Sequence, residues 1–135
     1  VKLELRLRAV FRELYDLQVA FLFKVPEAIQ QTPCDFFGWT AKGRAIVVEA
    51  KQVNRASLPI GTSNGLAPHQ WLALRQAAAC GAHSYLVWQR GDVIMVLDFG
   101  TCLRLTENRK SIPFWDAAGY QTHSLIDCFS RLLQS

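Results

Sequence analysis

Between Asp35 and Lys51 the chain reads DFFGWTAKGRAIVVEAK, two apolar runs separated by a polar turn. Asp35 to Thr40 and Ala45 to Lys51 are rich in aromatic and β-branched residues, which suit a pleated, half-buried surface. Ala41-Lys42-Gly43-Arg44 joins them, and its glycine admits the positive φ that a tight hairpin usually requires. The stretch therefore reads as the two strands of a hairpin. Side chains alternate across a strand, so Glu49 and Lys51, two residues apart at the strand's end, project from one face of the sheet. Asp35, at the head of the preceding strand after Pro33 and Cys34, falls across the hairpin from Glu49.

Upstream, Leu3, Leu7, Val10, Leu14 and Leu17 recur at spacings of four, three, four and three. That period puts one apolar stripe on a helix from about Lys2 to Asp16, with Arg8, Arg12 and Asp16 opposite. Val19 to Val25 is aromatic and β-branched and stops at Pro26, as a strand would. Downstream, Gln52 to Pro68 holds two prolines, two glycines and several small polar residues, and reads as a loop long for so small a domain. The alanine-rich run His69 to Cys80 predicts a helix stopped at Gly81. Ser84 to Gln89 and Val93 to Phe99, joined through Arg90-Gly91-Asp92, form a second hairpin, and Leu125, Phe129, Leu132 and Leu133 mark a last amphipathic helix. The order is α, three strands, α, two strands, α, without an internal repeat. It predicts one α/β domain over 1–135, a central mixed five-stranded sheet flanked by helices.

Composition narrows the function classes. With 135 residues, 50% of them hydrophobic and 19% charged, the chain can bury one sizeable core and is not a disordered sequence. The longest unbroken apolar stretches, such as Val19 to Phe23 and Val93 to Leu97, have five residues each. A membrane span needs about 20, so no membrane association is expected. Cys34, Cys80, Cys102 and Cys128 stand singly, with no CxxC pair and no Cys-His cluster of the kind structural zinc needs, and are expected as reduced, mostly buried thiols. No charged segment followed by an apolar one and a cleavage site opens the sequence, so a cytoplasmic protein is the expectation. A formal charge of +4 is a mild bias that suits a polyanionic partner.

By itself an ExK tripeptide most often marks a surface ion pair. Two carboxylates converging beside a lysine are different, because they make a hard, oxygen-rich site. Mg²⁺ favours such sites, held through one or two carboxylates with waters and phosphate oxygens filling the octahedron. There the ion polarises a phosphodiester and lowers the pKa of a bound water, while an ammonium orients that water or neutralises developing charge.

Asp35 on one strand and Glu49-x-Lys51 on the next, in an α-β-β-β-α-β order, resemble the PD-(D/E)xK nuclease superfamily and its restriction-endonuclease-like core. Read as longer strings, DFFGWTAKGRAIVVEAK, then SLP, then HQ at a helix start, the chain is similar to the RecU family of Holliday junction resolvases. YDLQVAFLFKVPEAIQ is similar to that family's passage from first helix to strand exit, and the likeness fades beyond Phe99 to a fragment such as RKSI. The resemblance implies a Mg²⁺-dependent endonuclease, with Mn²⁺ able to substitute, that resolves four-way DNA junctions by paired symmetric nicks. Branched DNA and a homodimer are the implied partners, in a bacterial or phage-infected cell. It assigns metal to Asp35, Glu49 and the backbone carbonyl of Ala50, the catalytic lysine to Lys51, and a supporting glutamine to Gln70. Its helix-one acid matches best at Glu4, with Glu13 as the alternative. The two lie on opposite flanks of the apolar stripe, and either also reads as a surface acid.

The chain departs from that family in two ways. Only Pro26 to Cys34 stands where the family carries a long stalk before its Asp motif, and the basic N-terminal arm has no counterpart. The cutting chemistry is thus carried by more residues than the preference for junctions. A nuclease acting on duplex, ends or flaps, and a catalytically silent DNA-binding module, stay open as alternatives. Lys42, Arg44 and Arg55 are expected near the metal as phosphate contacts, and His69 as a phosphate or proton contact that reads equally as a helix-start imidazole. Trp39, Trp71 and Trp88 fall in apolar segments and are expected in the core or a dimer interface.

Overall fold

The computed structural model describes residues 2–26, 32, 34–114, the backbone of 119–120, and 125–135. Pro33, ahead of the Asp35 motif, lies outside them. Helix α1 (Leu3–Asp16) leads into strands β1 (Ala20–Lys24), β2 (Phe36–Thr40), β3 (Ala45–Gln52) and β4 (Ser57–Pro59). Helix α2 (Pro68–Ala79) follows, then β5 (His83–Arg90), β6 (Val93–Asp98), α3 (Phe99–Leu105), β7 (Ser111–Pro113), β8 (Gly119–Tyr120) and α4 (Leu125–Leu133).

The expected five strands make the sheet, in the order β1-β2-β3-β5-β6, and two-residue β8 extends it past β6. Both expected hairpins are antiparallel: Phe37 stands opposite Val47 and Val87 opposite Val96. Strands β3 and β5 run parallel, with Glu49 opposite Leu86, so a crossover must join them, and α2 supplies it. Gly43 turns the first hairpin at φ +84°, in the left-handed region.

Two apolar layers enclose the sheet. On one face α1 and α4 bury Leu7, Val10, Phe11, Leu14, Leu125 and Phe129 against Leu22, Phe36, Ile46, Val48 and Val87. On the other, Leu74, Phe99 and Cys102 pack with Leu58, Leu66 and Ile112 against Leu86, Trp88, Met95 and Leu97. The α1 stripe ends one step earlier than its spacing suggests. Leu17 caps the helix instead of continuing it, and is 60% exposed.

The Gln52–Pro68 segment is not wholly a loop. Strand β4 pairs with β7 in a separate two-stranded ribbon, with Leu58 opposite Ile112, and Leu58 and Leu66 are fully buried. Three-residue strands are too short to show a period, which hides them from pattern reading. The second hairpin stops at Asp98 instead of Phe99, because the Asp98 carboxylate accepts from Thr101 N at 2.7 Å and caps α3, an unexpected helix. Cys34, Cys102 and Cys128 are buried and Cys80 is exposed. Among the described residues no helix is long and apolar enough to cross a membrane.

Candidate active site

The hairpin closes on its own acids. Asp35 N donates to Val48 O at 3.0 Å, extending the β2–β3 ladder by one residue, and Asp35 Oδ2 accepts from Ala50 N at 2.7 Å. That second bond fixes the Asp35 carboxylate against the Glu49–Lys51 end of β3. Glu49 is 2% exposed, on the face that α2 covers. Gln70, in the first turn of α2, donates Nε2 to Glu49 Oε1 at 2.9 Å, while its Oε1 accepts from Ala67 N at 3.0 Å and caps the helix. A carboxamide is the side-chain group that does both at once, offering a donor on one side and an acceptor on the other. Lys51 Nζ lies 3.8 Å from Glu49 Oε1.

Burial, then the charge of Asp35 and a hydrogen bond with it, push the Glu49 carboxyl up from 4.5 to about 9, against the opposing pull of Lys51 and Lys24. Without a cation, Glu49 is therefore a neutral acid at pH 7. Burial and the same two acids push the Cys34 thiol up to about 11, which makes it a poor nucleophile.

On the α1 side, Lys24 at the end of β1 places Nζ 3.6 Å from Glu4 Oε1 and 3.8 Å from Asp35 Oδ1. Arg8 pairs with Glu4 at 3.2 Å. Glu4, Lys24, Asp35, Ala50 and Gln52 line a cavity of about 190 Å³. The helix-one acid brought to Asp35 is thus Glu4. Glu13 is exposed nine residues further along α1, about 13 Å along its axis. Sequence reasoning missed Lys24, which carries no motif, although strand β1 pairs with β2 and so ends beside Asp35.

The basic residues divide. Lys42 and Arg44 sit in the hairpin turn, at the opposite end of β3 from Glu49. Five residues of strand, about 17 Å, separate Arg44 from Glu49, and Arg44 Nε donates to Gly81 O at 2.7 Å. Their expected nearness to the metal is therefore corrected: both flank the far end of the sheet. Arg55 is exposed just beyond the end of β3, and half-buried His69 precedes Gln70 in α2; these two stand at the acidic end. Trp88 is fully buried and Trp71 packs on Phe99 at 4.8 Å, but Trp39 is 45% exposed and not in the core.

The donor set tests whether a metal fits. Among the described residues no group of three or more His, Cys, Asp or Glu is arranged to hold a metal ion. Two carboxylates sharing a proton in a partly buried site form a donor set a hard divalent ion can occupy by replacing that proton, with waters and phosphate oxygens as further ligands.

No protein-family model matches the chain, and no curated protein does. Among solved structures, it is similar to Hjc, a Holliday junction resolvase from the archaeal hyperthermophile Archaeoglobus fulgidus. The superposition covers 91% of this chain and 98% of that one, with a TM-score of 0.57 and 15% sequence identity. The chain therefore has the fold of a Hjc-type nuclease, a mixed five-stranded sheet flanked by helices.

Proposed function

We propose that this chain is a metal-dependent endonuclease that cuts branched DNA, resolving four-way junctions by paired symmetric nicks as a homodimer. The observation that carries the reading is the convergence of Asp35, Glu49, Lys51 and Gln70 at one end of a sheet whose fold is shared with a junction resolvase.

Asp35 and Glu49, with the Ala50 carbonyl, would hold Mg²⁺ or Mn²⁺, which when bound supplies phosphate polarisation and a water of lowered pKa. The chain's own groups do the rest. Gln70 keeps the Glu49 carboxylate pointing out of the sheet, and the Asp35–Ala50 bond keeps the second carboxylate beside it. Lys51, its ammonium within ion-pair distance of Glu49, is placed to orient the attacking water and to neutralise charge developing on the phosphate. Glu4 and Lys24 form the α1-side wall, and Arg55 and His69, at the acidic end of the sheet, would contact the phosphate backbone.

Purified protein is incubated with Mg²⁺ or EDTA and a labelled four-way junction beside linear duplex, single strand and flap, with Lys51→Ala as control. Paired nicks on the junction alone, lost with EDTA and in Lys51→Ala, are the expected result. Cutting of the other substrates would replace the junction preference with a general nuclease, and binding without cutting would make the chain a DNA-binding module.

A further inference from the structure

A second polar cavity lies at the other end of the sheet from Asp35 and Glu49. It holds about 350 Å³ and is lined by Arg44 of the first hairpin turn, by His83, Ser84 and Tyr85 at the start of β5, by Asp98 at the end of β6, and by Leu132 of α4. Ser84 Oγ is committed, donating to Leu74 O at 2.8 Å. His83 is not fully satisfied. It is 5% exposed, its ring stacks on that of Tyr85, and its Nδ1 lies 3.1 Å from Tyr85 Oη. Its Nε2 is buried with no hydrogen-bond partner among the described residues. Buried polar groups nearly always have a partner, so an orphaned one beside a cavity points to something that fills it.

The chemistry of the His83–Tyr85 pair assigns the proton. A phenol is the stronger acid and an imidazole nitrogen the stronger base, so Tyr85 donates to Nδ1 and His83 carries its own hydrogen on Nε2. Burial, then the charge of Arg44, holds the imidazole below its usual range, so at pH 7 it is neutral and offers that single N–H. Arg44 Nε donates to Gly81 O at 2.7 Å, which anchors the guanidinium beside the cavity and leaves its two Nη groups for a ligand. This end therefore presents several N–H donors and one positive charge. At the other end Asp98 Oδ1 accepts from Thr101 N at 2.7 Å, and Oδ2 stands as an acceptor. Arg44 is anchored at Gly81 and Asp98 stands opposite Tyr85, four residues on, about 13 Å of extended chain.

We propose that this cavity is a second binding site, for a small organic molecule with an oxyanion at one end and a hydrogen-bond donor at the other. Arg44 and His83 take the oxyanion and Asp98 takes the donor. Size and charge select that class. The volume is that of a ligand pocket, and a bare inorganic anion would reach only one end of it. A cationic head would meet Arg44, and a second anionic group at the far end would meet Asp98. The head is a phosphate or a carboxylate, both of which present the paired oxygens that a guanidinium fork receives. The cavity shares no residue with the Asp35–Glu49 site, so its occupation goes beyond the proposed nuclease function and does not depend on it.

Nuclear magnetic resonance of the whole chain, isotope-labelled at its histidine rings and kept in EDTA, reads the His83 Nε2–H directly. The probes are deoxyguanosine monophosphate, glutamine, inorganic phosphate and deoxyguanosine. The expected result is a saturable shift of the His83 signal with the nucleotide or with glutamine, about tenfold tighter than with inorganic phosphate, which is the worth of one charge-assisted hydrogen bond to Asp98. A response to the nucleotide makes the head a phosphate, and one to glutamine makes it a carboxylate; deoxyguanosine, which has no head, should not bind. Arg44→Gln should abolish saturation. Asp98→Asn, whose amide oxygen can still cap α3, should lower the favoured probe to the affinity of inorganic phosphate. Melting temperatures of both variants should stay close to the wild type, and Lys51→Ala should bind as the wild type does, which separates this cavity from the nuclease site. The proposal is overturned if no probe saturates, if both variants bind unchanged, or if His83 carries its hydrogen on Nδ1. Inorganic phosphate binding as tightly as the organic probes would mean an adventitious ion only, and would overturn it too.

Discussion

Replacing Glu49 with glutamine should stabilise the metal-free protein, and by more as pH rises. The Glu49 carboxyl is raised from 4.5 to about 9 by burial and by Asp35, so between those values the folded chain holds a proton that the unfolded chain has released. Stability from this group is therefore complete below the unfolded value and is lost as pH climbs towards the folded one. One proton is worth about 1.4 kcal/mol per pH unit, so going from pH 6 to 8 removes up to about 3 kcal/mol. For a chain of 135 residues that corresponds to a fall in melting temperature of about 10 °C. Glutamine keeps the shape, still accepts from Gln70 Nε2, and offers its amide N–H to Asp35 in place of the shared proton. Melting curves in EDTA at pH 6, 7 and 8 should show the wild type sloping downwards relative to Glu49→Gln, and Mg²⁺ should rescue only the wild type at pH 8. Parallel curves, or a variant less stable than the wild type at pH 8, would refute the reasoning.

Gln70→Ala strips partners from a buried Glu49 oxygen and from Ala67 N–H, and should cost about 1–3 kcal/mol in a denaturant titration and most of the cleavage rate. Lys24→Met keeps the stem against Phe36 and removes a cation from beside Asp35. It should cost less than about 1 kcal/mol and lower several-fold the Mg²⁺ concentration giving half-maximal thermal stabilisation. A raised Mg²⁺ requirement would instead make Lys24 a holder of the Asp35 carboxylate. Leu58→Ala, in the short ribbon, should destabilise by about 2–5 kcal/mol, measured by the denaturant midpoint, because Leu58 is fully buried.

What the sequence showed was set by how local each signal is. The β2–β3 hairpin joins residues 14 apart through a glycine turn, so Asp35 and Glu49 could be placed together from spacing alone. Gln70 entered only through resemblance, since nothing in its own segment says that α2 folds back over β3. Glu4 and Glu13 were indistinguishable on a helical wheel, because the choice depends on where the end of β1 meets α1, a contact between distant segments. Lys42 and Arg44 were misplaced by reading nearness in sequence as nearness in space, when a strand carries its two ends apart. Strand β4 escaped because its partner β7 lies more than fifty residues away and neither is long enough to show a period. Trp39 sits in the same alternation as the core residues, and alternation distinguishes the faces of a sheet without saying which face is covered.

The parallel pairing of β3 with β5 has a kinetic consequence. The hairpin that unites Asp35 and Glu49 closes a short loop, whereas burying Glu49 requires β5 and α2 to arrive through a long crossover. By contact order the hairpin that forms the acidic pair should close first and the crossover that removes it from water should follow. A cation or proton that neutralises the pair acts on the late docking step, so its effect falls on how long the assembled protein persists more than on how fast the hairpin forms.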